Sequence, residues 1–217
     1  MPSSIVEPHR GAGPRRAADL KAIFSPANLK LRANEGHANY WLPWLALYTG
    51  ARLEELGQLQ VEDVRQEGNV WYLAIEPGDG KRVKTKSSKR RVPIHPRLIK
   101  LGLLSFAQEQ KAAVGPDGRS HTNLFPGLVS TSYGSRTAVF SKWWGRHART
   151  VCGIPDPRKV WHSFRHGWKD AARGVMPEEH HDAITGHGNG SVGRSYGQGV
   201  PLKVLAESMA RVKFNLS

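Results

Sequence analysis

A chain of 217 residues is long enough for one domain with a real core, and 39% hydrophobic with 23% charged residues is the balance of an ordinary globular protein. Its 32 Lys and Arg against 18 Asp and Glu leave a net charge of +14, which points to a polyanionic partner. Nucleic acid fits better than an anionic membrane, because the basic residues are spread along the chain with no basic amphipathic anchor. The single cysteine, Cys152, excludes an intramolecular disulfide and a Cys-based zinc cluster. No apolar stretch has the length of a leader core or a membrane span, so a cytoplasmic, nucleic-acid-associated protein is expected.

Residues 1–17 are rich in Pro, Gly and Arg and read as a basic linker or arm, with the folded domain over residues 18–217. A short apolar helix is expected from Leu20 to Phe24. Another should run from His37 to Tyr48, where Trp41, Trp44, Leu45 and Tyr48 recur at three- and four-residue steps. Pro43 inside that pattern marks a first turn or a kink. Thr49-Gly50 then breaks the chain before a helical segment from Leu53 to Leu59. Residues 70–94 differ in character. The apolar run VWYLAI is followed by the turn Pro77-Gly78-Asp79-Gly80, and Arg82-Val83-Lys84 and Arg91-Val92-Pro93-Ile94 flank a polar tip. This predicts two or three short antiparallel strands with a basic hairpin. Helical patterns resume over residues 96–113, 135–151, 162–173, 177–185 and 201–212. The expected fold class is mainly α with a small antiparallel β-sheet.

His162 and Arg165 stand three apart on one helix face, with Phe164 and Trp168 on the core side. A guanidinium and an imidazole sharing a face can grip a phosphate, although a solvated helix surface presents the same pair. Arg52 follows a helix-ending Gly50, and Glu55 is placed to hold it; a surface ion pair is the plainer alternative. Lys84, Lys86 and Lys89 lie on or beside the hairpin tip, where a lysine can enter a groove or merely be solvated. Gly186-His187 closes a helix, and Tyr196 follows nine residues later in a Gly- and Ser-rich stretch, which suits a side chain that must approach a substrate.

The order of these landmarks along the chain resembles the tyrosine recombinase (phage integrase) family, in the segments TGARLEELGQLQVEDV, VKTKSSKRRVPIHP, WHSFRHGWKDAARG and AITGHGNGSVGRSYG. The resemblance runs from about residue 20 to about residue 212. It implies catalytic roles for Arg52, Lys84, His162, Arg165, His187 and Tyr196, a supporting role for Glu55, and DNA contacts from Lys86, Lys89, Arg90 and Arg91. Lys84 is preferred over Lys86 as general acid because Lys-Thr before the tip resembles the family's usual text. The implied reaction breaks and rejoins duplex DNA through a covalent 3′-phosphotyrosine, without metal, ATP or other cofactor. Double-stranded DNA is the implied partner, with a tetramer on DNA, a monomer when free, and a bacterial, phage or mobile-element source.

Family members usually carry a helical core-binding domain ahead of the catalytic one, and only the basic segment precedes the motifs here. That domain is therefore expected to be absent from this chain. Competing readings are type IB topoisomerase-like relaxation and a DNA-binding accessory factor without catalysis. His162 and His166 have an H-x-x-x-H spacing, but Ser163 stands where a zinc protease has Glu and no third ligand is evident. His180 and His181 point in different directions on a helix and are expected at the surface. The apolar stripe of Leu202, Leu205, Met209 and Val212 either docks on a neighbouring protomer or folds back on its own core.

Overall fold

A computed structural model of the chain describes residues 17–35, 37–78, 81, 89–115, 118–186 and 199–216. Helices α1 (Ala17–Ile23) and α2 (Pro26–Glu35) lead into α3 (His37–Thr49), in which Trp41 through Thr49 are all buried. A helix apolar on every side belongs at the centre of a domain, and α3 packs against α2 and α8 (Ser163–Ala172). Phe24, Trp44, Trp144 and Phe164 form its aromatic surround, with Phe24 and Trp44 ring centroids 4.2 Å apart and Trp144 and Phe164 5.5 Å apart. Pro43 lies in the second turn of α3, and the helix continues through it.

The sheet has three antiparallel strands in the order β1 (Val64–Glu67), β2 (Val70–Ile75) and β3 (Arg90–Pro93). The register pairs Val64 with Leu73 and Ile75 with Arg90, so β3 begins opposite the end of β2. Among the described residues the third strand is therefore Val64–Glu67, which precedes the apolar run. The expected strand at residues 82–84 lies outside the described residues. The helical pattern of residues 96–113 is two helices, α5 (Pro96–Lys100) and α6 (Leu103–Ala112), because Gly102 turns left-handed at φ 93° between them.

Helices α4 (Leu53–Gly57), α7 (Ala138–Thr150), α9 (Glu178–Thr185) and α10 (Leu202–Met209) complete the domain, mainly helical with one small sheet as expected. Among the described residues no helix is long and apolar enough to cross a membrane. The stripe on α10 folds back on its own chain: Leu202, Leu205, Met209 and Val212 are buried, and α10 packs against β2, β3 and α9. His181, expected at the surface, is instead buried, with Nδ1 3.1 Å from Asp182 Oδ1 and its ring against Trp168. Its own helix turns it toward α8 rather than outward.

Candidate active site

Three cations and one carboxylate meet where α4, β3, α8 and the end of α9 come together. Helix α3 stops at Thr49, Gly50 takes φ 61°, and Arg52 becomes the residue that caps α4. The Arg52 backbone N–H donates to Glu55 Oε2 at 2.8 Å, and its Nη1 donates to Oε1 at 2.8 Å. The first contact satisfies a helix-end amide, and the second fixes the direction of the guanidinium. The Arg52 side chain keeps 29% of its surface open to solvent, whereas that of Glu55 keeps 4%.

Glu55 has a second cation. Arg90, the first residue of β3, places Nη2 2.8 Å from Oε2 and Nη1 3.2 Å from Oε1, and its Nε donates to the Ile184 carbonyl at 2.8 Å. Burial pushes the Glu55 carboxyl up, but the Arg90 and Arg52 bonds and charges outweigh it, and the net displacement is downward. Arg90 was expected among the DNA-contacting cations. With its side chain only 5% exposed and directed at Glu55, it faces the interior instead. Lys89 and Arg91 do lie outside, 3.7 Å from Glu76 and 2.6 Å from Glu67.

Arg165 enters from α8 and is itself buried. Its Nη1 donates to the Gly50 carbonyl at 2.7 Å and its Nη2 to the Thr185 carbonyl at 2.7 Å. Thus Ile184 and Thr185, successive carbonyls in the last turn of α9, accept from Arg90 and Arg165 in turn. Such carbonyls lack partners within their helix and carry its negative dipole end. Gly186 then closes α9 in the left-handed region at φ 69°. Burial, with the like charges of Arg52 and Arg90, lowers Arg165 to about 10, so it stays cationic at neutral pH.

His162 immediately precedes α8 and is exposed, with its ring centroid 5.0 Å from that of His166 in an edge-to-face pair. Partial burial of the ring, then the charges of His166, Arg165, Arg52 and Lys169, hold its pKa below the ordinary histidine value. The imidazole is consequently neutral near pH 7 and able to accept a proton. Lys84, Lys86, His187 and Tyr196 lie outside the described residues. Among the described residues no three His, Cys, Asp or Glu side chains are grouped to hold a metal ion.

The arrangement is a receptacle for an anion: Arg52 and Arg90 share the Glu55 carboxylate, Arg165 is held beside them by two backbone carbonyls, and a neutral imidazole lies at the edge. Two solved structures have the same architecture. XerA recombinase superposes with a TM-score of 0.56 at 17% identity, over 98% of this chain and 63% of that one. XerH site-specific recombinase, in a post-cleavage complex with a palindromic difH substrate, gives 0.50 at 16% identity, over 94% of this chain and 51% of that one. The fold is that of the tyrosine recombinases. This chain spans about half to two thirds of the length of these recombinases. No protein-family model and no curated protein sequence matches it.

Against the recombinase fold, two site features were missed in the sequence. Arg90 was visible only as one of a run of basic residues, and its partners lie 35 and 94 positions away. Glu54, beside Glu55, accepts from Ser135 Oγ, from the Arg136 amide and from Thr137, and so ties α4 to the start of α7. A carboxylate pair at the start of a helix was the only available signal.

Proposed function

We propose that this chain is the catalytic domain of a site-specific DNA recombinase that cleaves and rejoins duplex DNA through a covalent 3′-phosphotyrosine. The observation that carries the reading is the convergence of Arg52 and Arg165, through Glu55 and the Gly50 carbonyl, on one cationic cluster beside His162. Negative charge grows on the non-bridging oxygens of a phosphodiester as it is attacked, and fixed guanidinium groups stabilise that charge more than the ground state. In the proposed step the Tyr196 phenol oxygen attacks phosphorus while its proton passes to His162. The bond from phosphorus to the 5′-oxygen breaks, Lys84 protonates that oxygen, and His187 donates a hydrogen bond to the phosphoryl group. Religation reverses these transfers with a new 5′-hydroxyl. The ester keeps the bond energy, so neither ATP nor a metal is required.

The XerH neighbour was crystallised on DNA after cleavage, which supports duplex DNA as the substrate class. The net charge of +14 supports it independently. Exchange between two sites calls for several copies, and a tetramer on DNA is the assembly proposed. The test is trapping on a nicked duplex, or on supercoiled plasmid at low salt, comparing the chain with Tyr196→Phe on a denaturing gel. A protein–DNA adduct that disappears in the variant is expected. An adduct that survives Tyr196→Phe removes the nucleophile assignment. Bound DNA with no adduct favours a non-catalytic DNA-binding protein.

A further inference from the structure

We infer that Arg90 is a positioning residue of the cationic cluster, aiming Arg52 through their shared carboxylate Glu55 and holding the end of α9 through the Ile184 carbonyl. Four contacts on Glu55 carry the argument. Arg52 supplies a backbone amide and Nη1, and Arg90 supplies Nη1 and Nη2. A carboxylate held from one side only can rotate, whereas one clamped by a second fork cannot. Arg52 is the more open partner and Arg90 the buried one, so the clamp fixes the inner side and leaves the outer guanidinium aimed.

Arg90 also reads the corner at which the chain leaves α9. A Cβ on Gly186 would lie 2.9 Å from Arg90 Nη1 and 3.2 Å from its Cδ, so the side chain rests directly on that glycine. Because Arg90 begins β3, one guanidinium joins the hairpin base, the Arg52 cap and the segment leading to residue 187. Arg90 acts through Glu55 and the Ile184 carbonyl. The catalytic consequence rests on the proposed recombinase reading, while the positioning itself does not.

The test uses Arg90→Ala and Arg90→Lys in the full chain, the lysine variant serving if the alanine variant does not fold. Three quantities are read: hydrogen exchange at the Arg52 and Gly186 amides, the slope of DNA affinity against salt, and the rate of adduct formation at saturating DNA. Exchange at those two amides should quicken selectively. Cleavage at saturation should fall by about 10- to 100-fold, the scale of a small misplacement of catalytic groups. Millimolar guanidinium should restore part of both losses in Arg90→Ala, and sodium at equal ionic strength should not. The salt slope should stay unchanged, whereas loss of a phosphate contact lowers it by roughly 0.9. Unchanged exchange, or a lowered slope with full cleavage at saturation, overturns the inference. If the parent chain forms no adduct, the recombinase reading fails, and exchange with guanidinium rescue still decides the role of Arg90.

Discussion

Arg165 reaches from α8 to the Gly50 carbonyl at 2.7 Å, two residues before Arg52, so one short piece of backbone sets both cations. Gly50 is strained for any other residue. It holds φ 61°, and an added Cβ would lie 3.1 Å from the Trp168 ring, which belongs to the same helix as Arg165. Gly50→Ala should cost about 1–2 kcal/mol for the left-handed backbone. Pressure on Trp168 adds to that and shifts the carbonyl that Arg165 uses. Thermal denaturation should show the stability loss, and single-turnover trapping at a temperature where the variant is folded should show an additional rate loss. A variant that is destabilised yet cleaves at the parent rate would separate Gly50 from the site.

Glu55 pairs with both Arg52 and Arg90, and its side chain is 4% exposed. Replacing it with Gln keeps the shape and removes the charge. Breaking a buried ion pair from one side costs about 3–5 kcal/mol, because the remaining cation stays in a poorly solvated place. Glu55→Gln should therefore lower the urea midpoint. The sign of the pH effect follows from the depressed pKa. The stabilisation is complete above the ordinary glutamate value of 4.5 and is lost as pH falls through the lower folded value. Stability measured between neutral pH and pH 3 should fall more steeply in the parent chain than in Glu55→Gln; parallel curves would refute the linkage.

The part of this site that could be read from sequence is the part that is local. Gly50, Arg52 and Glu55 lie within six residues, and a glycine, a capping position and an acid three residues on announce a helix start. His162 and Arg165 share one helix face for the same reason, with Phe164 and Trp168 buried behind them. Arg90 was not legible, because nothing in the run KRRVP distinguishes the inward arginine from the outward one until Glu55 and Ile184 are brought to it. Strand β1 escaped because an edge strand of sequence VRQE buries little and shows no apolar alternation. Helix α2 is polar and lacks a marked stripe, yet Ser25-Pro26 was a usable start signal: the Asn28 amide donates to Ser25 Oγ, and Pro26 occupies the first turn.

His162 should titrate below the ordinary histidine value of 6.5 in the free protein. Desolvation comes first among the causes, followed by His166, Arg165, Arg52 and Lys169, all of which disfavour a second positive charge. Because the unfolded chain binds that proton more readily, this histidine's contribution is complete above 6.5 and is lost as pH falls toward the folded pKa. Imidazole resonances followed by NMR should give the depressed value, and His166→Asn should raise it by removing one neighbouring cation. If His162 takes the tyrosine proton, the acid limb of the cleavage profile should move upward in the same variant. A limb that stays in place while the NMR titration moves would assign the proton transfer to another group.

The apolar stripe of α10 supports a last prediction. Leu205 is 5% exposed and Met209 is fully covered, both by the chain that carries them, and the His95 ring nitrogen Nε2 lies 3.0 Å from the Val212 carbonyl just beyond the helix. A stripe satisfied within its own chain has no exposed apolar face with which to recruit a neighbour. The free protein should therefore sediment as a single chain at micromolar concentration. Leu205→Ala should cost about 2–5 kcal/mol as a core truncation, independent of protein concentration. A midpoint that rises with concentration would instead mean that α10 is exchanged between copies. In that case the burial of Leu205 and Met209 would be supplied by a partner, and the DNA-free protein would already be an oligomer.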